Sequence, residues 1–230
     1  MFVINLLCCI SNILGCWHLM ESATYFVDAH GERNLISKDV SNVPPIISFL
    51  YNGKGAIEYA DGKIILFDWK HDSNNTISLA CNDRIGNNTF YTQVTDDSII
   101  LSEINSNNYI NTYLLKQSKM EIEEYDRTGI KLSNSEYYFL KDKIQHFGLT
   151  CFFAEGREKN NKTLLIGGQE YLEIINGLPN TQYVVFVKSS NFQYNIPCYL
   201  VTINQNTNSR VIYANYIRHI NIEDLKNNLK

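Results

Sequence analysis

Hydrophobic and polar positions alternate with a period of two along much of the chain. Ile65, Phe67 and Trp69 fall on one side, with Leu66 and Asp68 on the other. Ile77, Leu79 and Cys81 alternate with Ser78 and Ala80, and Ile99 and Leu101 with Ser98 and Ser102. Successive side chains of a strand point to opposite faces, so each set lines one surface. Runs of this kind predict strands over 16–22, 24–28, 34–38, 45–51, 56–59, 63–70, 76–81, 89–95, 98–104 and 109–116. Turn signals punctuate them: Asn52-Gly53, Asp61-Gly62, Asp96-Asp97 and clusters of Asn. Asn-Gly and Asp-Gly are strong hairpin signals because type I′ turns need positive φ. Many short strands with no intervening helix predict an antiparallel up-and-down β-barrel over 16–118.

The pattern changes after residue 118. Residues 119–148 read as a connecting hairpin and a helix. Ser133-Asn134-Ser135-Glu136 has the form of a capping box. Tyr137, Leu140, Ile144 and Phe147 follow at helical spacing, and Gly148 ends the run. Strands return over 150–154, 162–166, 170–175, 182–189, 197–204 and 210–216, predicting a smaller β-sandwich-like domain over 149–230. Asn221, Ile222, Leu225 and Leu229 predict a short C-terminal helix.

The first twenty residues contain no Asp, Glu, Lys or Arg, and residues 2–14 are mostly apolar. Two readings stand. Residues 1–15 form a signal segment with Cys16 as a lipidated residue, placing the protein in the cell envelope or outside it, or they form a retained helix that plugs a barrel, compatible with the cytoplasm. The apolar run is too short to span a bilayer as a helix.

Composition narrows the function. The net charge is −4, with no cluster of Lys and Arg, which excludes a general nucleic-acid surface. Tyr (15) and Phe (11) supply the aromatic surface of a barrel interior. Six cysteines at 8, 9, 16, 81, 151 and 198 show no metal-ligand spacing, so no metal or other cofactor is expected. Asp96-Asp97 and Glu123-Glu124 are neighbours that point apart on a strand, and the five histidines are dispersed. No catalytic constellation appears, and the chain is read as a non-enzyme.

Four stretches carry a family resemblance: "ILGCWHLMES", "IISFLYNGKGAIEY", "ILFDWKHDSNNTISL" and "FYTQVTDDSIILSEI". In order and spacing, residues 13–118 resemble the lipocalin-like domains of bacterial, Bacteroidetes-type envelope proteins. The resemblance implies that Trp17 packs across the closed end of the barrel, with Gly15 allowing close approach. It also implies a hydrophobic small molecule or lipid held among inward aromatics, here Phe49, Tyr51, Phe67, Trp69, Phe90 and Tyr113. The alternative is a solid-packed barrel that binds a protein partner, as a surface or toxin-neutralising module. "INGLPNTQYVVFVKSS" resembles the corner of a fibronectin type III module, which implies a tyrosine-corner role for Tyr183.

Overall fold

A computed structural model describes residues 13–72, 75–81, 87–95, 97–105, 107–117, 119–125, 134–167, 181–188, 195–206 and 209–221. The chain divides into two compact units, Met1–Gln117 and Ser118–Lys230. Both are built mainly of β-strands.

The first unit holds β1 (Gly15–Val27), β2 (Arg33–Val40), β3 (Ile46–Phe49), β4 (Lys54–Glu58), β5 (Ile64–Asp72), β6 (Thr76–Cys81), β7 (Asn87–Val94), β8 (Ser98–Ile104) and β9 (Tyr109–Lys116). β3 to β9 follow one another as antiparallel neighbours, and β1 pairs with both β3 and β9. These eight strands close an antiparallel barrel of the kind the alternation predicts. The predicted strands 16–22 and 24–28 are one long strand, and its two ends have different neighbours. Gly15 to His18 pair with β3, whereas Glu21 to Val27 pair with β2. β2 therefore hangs from β1 outside the closed ring, and all eight of its residues are exposed.

Turn chemistry sets the register. Gly53 and Gly62 take φ of 75° and 85° in the two hairpins that open with Asn52 and Asp61. Asn75 and Asn108 adopt left-handed φ of 56° and 60°, a conformation that Asn tolerates better than most residues. The Asn clusters thus act as turn formers.

The second unit begins with β10 (Met120–Tyr125), which the alternation did not predict as a barrel strand. The helix α1 (Asn134–Lys143) and a 3-10 turn (Gln145–Phe147) follow, ending at Gly148. Leu140, Ile144 and Phe147 are buried along them, as the helical spacing predicts. The proposed cap residue Ser133 lies outside the described residues. Then come β11 (Cys151–Asn160), β12 (Thr163–Gly167), β13 (Thr181–Lys188), β14 (Asn195–Asn206) and β15 (Ser209–Asn221). The strand predicted over 170–175 and the C-terminal helix also lie outside the described residues.

These six strands close a second barrel in the order β10-β12-β11-β13-β14-β15, where the alternation predicted a small sandwich. The difference rests on β10. It pairs in parallel with β12 and antiparallel with β15, bridging the two strands that a sandwich would leave as edges. A second parallel pairing joins β11 to β13. Tyr183 lies inside this barrel with its ring 5.6 Å from Phe152. Its hydroxyl is buried without a hydrogen-bond partner among the described residues, and the upstream stretch to which a tyrosine corner would bond lies outside them.

Candidate functional site

The core of the first barrel includes an apolar cluster around Trp17. Trp17 is fully buried, and its Nε1 donates to the Ile13 carbonyl at 2.8 Å. Ile13 and Leu14 are buried beside it, and Gly15 joins them to β1 with φ of 129°. Trp17 thus packs into the barrel core, as expected of the Gly-x-Trp strand. Cys16 points the other way, is 2% exposed, and places its Sγ 3.3 Å from Ser48 Oγ.

Phe49, Phe67 and Trp69 come together in the same core. The Phe49 ring meets the Phe67 ring at 5.7 Å and the Trp69 ring at 5.5 Å, both edge to face. Trp69 Nε1 donates to the carbonyls of Leu50 and Lys54 at 2.9 and 3.0 Å. These three residues fill space and satisfy one another. Phe90 and Tyr113 form a second inward pair at 6.0 Å. Tyr51 does not join them: it sits in the β3–β4 turn and is 52% exposed.

Beyond Phe90 the inward face becomes polar. Glu103 lies opposite Asn111 in register, and Asn111 opposite Thr24. Thr24 Oγ1 donates to Asn111 Oδ1 at 3.0 Å. Burial, reinforced by the Glu103 carboxylate, raises the Tyr113 phenol above its ordinary pKa. His71 Nδ1 is buried without a partner on the next inward position of β5 after Trp69.

The outer face of the same strands carries a groove, lined by residues that alternate with the inward-facing ones. Its volume is about 450 Å³. Ile100, Ser102 and Ile104 line it, the alternates of the core residues Ile99 and Leu101. Register explains the concavity. Tyr91, Ser102, Thr112, Ala23 and Lys38 lie side by side across β7, β8, β9, β1 and β2. Its middle three members are small. One flanking row runs Gln93, Ile100, Leu114 and Glu21; the other runs Ile104, Ile110 and Tyr25. Two tall rows beside a short one make a trough that crosses the strands. The β1–β9 bulge after Leu19 turns Glu21 onto this face, since Leu19 still packs inward.

The groove is polar at its β2 end. Glu21 Oε2 and Lys38 Nζ form an ion pair at 2.7 Å, and Arg33, opposite Val27 at the start of β2, also lines the cavity. The Glu21 carboxylate, chiefly by hydrogen bonding, raises the Lys38 pKa. Ile100, Ile104, Ile110 and Leu114 give the groove an aliphatic wall, and Gln93, Ser102, Thr112, Glu21 and Arg33 place polar groups along its length. Alternation held the signal for this site: Ile100, Ile104, Ile110 and Leu114 occupy positions that a solvent-facing surface would give to polar residues.

The second unit has its own polar cluster. Tyr199 is fully buried, and its hydroxyl donates to Glu158 Oε1 at 2.6 Å. Burial first, and then this hydrogen bond, push the Tyr199 phenol far above its ordinary range, so it stays protonated. The Tyr216 ring lies 5.9 Å away, with its hydroxyl bonded to His219 Nδ1. Among the described residues, no three acidic, Cys or His side chains gather as a metal site. None of their helices is long and apolar enough to cross a membrane.

No protein-family model matches the chain, and neither a curated protein nor a solved structure is found to match it. The closed eight-stranded barrel is compatible with the lipocalin-like resemblance at the level of architecture.

Proposed function

We propose that this chain is a non-catalytic binding protein that takes up a hydrophobic small molecule through its first barrel. The observation that carries the reading is the outer trough of about 450 Å³ with an apolar wall. That volume falls within the range of small-molecule sites, roughly 300–1,000 Å³. Mutual packing of Phe49, Phe67 and Trp69 supports a filled interior, which moves the ligand from the aromatic core to the outer face. Native mass spectrometry of the purified chain tests this. A retained non-covalent mass of lipid size is expected from the wild type. It should be lost in Thr112→Leu, which fills the trough floor. Retention by that variant would move the ligand elsewhere.

The second reading, a protein-interaction module, is favoured by β2. Leu35, Ile36 and Val40 are 54%, 59% and 56% exposed on a strand that pairs only with β1 among the described strands. Such an edge can accept a strand from a partner. Light scattering of the wild type and of Ile36→Lys separates the two readings. An assembly that the substitution dissolves would favour the module.

Residues 1–12 lie outside the described residues, and Ile13 and Leu14 favour the barrel-plug reading of the opening stretch. Burial of Ile13 and Leu14, and the bond from Trp17 to the Ile13 carbonyl, support it. A lipid on Cys16 would have to displace a thiol held against Ser48 within a buried strand.

A further inference from the structure

We infer that the ligand of the outer groove is a free, single-chain anionic amphiphile, an inference that rests on the groove being the binding site. Two features define it. The first is the floor, where Ser102, Thr112 and Ala23 stand in one cross-strand row between taller neighbours. From Tyr91 on β7 to Arg33 on β2 the lining crosses five strands, roughly 19 Å at the usual interstrand spacing of ~4.8 Å. A trough that long and one small side chain wide accepts an extended alkyl chain better than a fused ring system.

The second feature is the charge at its β2 end. Glu21 of the lining is neutralised by Lys38, whereas Arg33 lines the same cavity and forms no ion pair among the described residues. With Glu21 matched by Lys38, Arg33 is the unmatched charge of the lining, on the β2 side of the trough. Arg presents a planar fork that matches a carboxylate, sulfate or phosphate bidentately. The alkyl chain lies over Thr112 and Ser102, and the anionic head meets Arg33. A cationic head at that end would face Arg33 unpaired, and an alcohol would leave the guanidinium without a counter-charge.

Calorimetric titration of the full chain with decanoate, decanol and decylammonium, each below its micelle concentration, tests this. Decanoate is expected to bind about tenfold more tightly than the other two, the scale of one charge-assisted contact. Arg33→Gln should abolish that preference while leaving weak binding of all three. Thr112→Leu, checked for an unchanged melting profile, should abolish binding altogether. Equal binding of decanol, preference for decylammonium, or an unaltered preference in Arg33→Gln would overturn the anionic head while sparing the groove. Absence of binding to the wild type, or binding unaffected by Thr112→Leu, would overturn the groove itself. Flotation with phosphatidylglycerol vesicles in a chain that ignores decanoate would overturn the free amphiphile in favour of an anionic bilayer.

Discussion

Phe67 lays its ring against the bare α-carbon of Gly55, its direct cross-strand partner. A Cβ built on Gly55 would come within 2.2 Å of the ring and 2.7 Å of the Ser48 carbonyl oxygen. Gly55 also lies opposite Phe49, so one missing side chain lets two phenylalanines meet edge to face across it.

Gly55→Ala is therefore expected to destabilise the first unit by about 1–3 kcal/mol, the usual cost of overpacking a filled core. Phe67→Leu should remove part of that cost, because it withdraws the ring but not the Ser48 carbonyl. A double-mutant cycle by urea denaturation measures the coupling. Additive effects would show that the two residues do not compete for the same space.

A chain begun at Cys16 would lack the Ile13 carbonyl that accepts the Trp17 Nε1 proton, together with the buried Ile13 and Leu14 side chains. Full burial of one such aliphatic side chain contributes roughly 1.5–3 kcal/mol. The shortened chain should melt about 10 °C lower in its first transition, at several degrees per kcal/mol. Equal melting temperatures would mean that the plug contributes nothing and would reopen the lipidated-Cys16 reading.

Acidification should weaken the first unit through His18. Burial lowers its pKa below 6.5 in the folded state. The unfolded chain then binds the proton more readily than the folded one. Stability from this group is complete above pH 6.5 and falls as the pH drops below that value toward the folded-state pKa. Thermal melts at pH 7.5 and 5.5 should show a smaller acid-induced decrease in His18→Gln than in the wild type. An identical decrease in both would exclude His18 as a source of the pH dependence.

Thiol labelling should follow burial. Among the described cysteines, Cys16, Cys151 and Cys198 are buried and Cys81 is partly exposed. Burial pushes the Cys151 thiol up to about 11, with Lys141 opposing weakly, so little thiolate exists near neutrality. Brief iodoacetamide treatment at pH 8, followed by peptide mass spectrometry, should modify Cys81 well before those three. Early modification of Cys151 would contradict its placement on β11.

Strands 76–81, 98–104 and 109–116 match their predicted bounds because a polar stretch of sequence flanks each apolar run on both sides. β10 escaped prediction for a different reason. Its Met-Glu-Ile-Glu-Glu-Tyr run is short and acidic, and its pairing partner β12 lies some forty residues later. Closure of the second barrel is a long-range property, invisible to local periodicity. The aromatic core was readable because Phe49, Phe67 and Trp69 fall in phase. Tyr51 is in phase with Phe49 too, but the strand ends at Phe49 and the chain turns before Tyr51 can follow inward. The outer groove needed cross-strand register, since Ser102, Thr112 and Ala23 become neighbours only once β8, β9 and β1 are paired.

The seam between β1 and β9 also constrains how the first unit is made. Thr24 and Asn111, bonded across it, are 87 positions apart. A ribosome adding roughly 5–20 residues per second completes β1 several seconds before β9 emerges. During that interval the seam edge of β1 is unsatisfied, because the local hairpin to β2 occupies the opposite edge of β1. One edge of β1 is thus sheltered early by β2, while the other stays open as an aggregation-prone template until the last strand of the ring arrives.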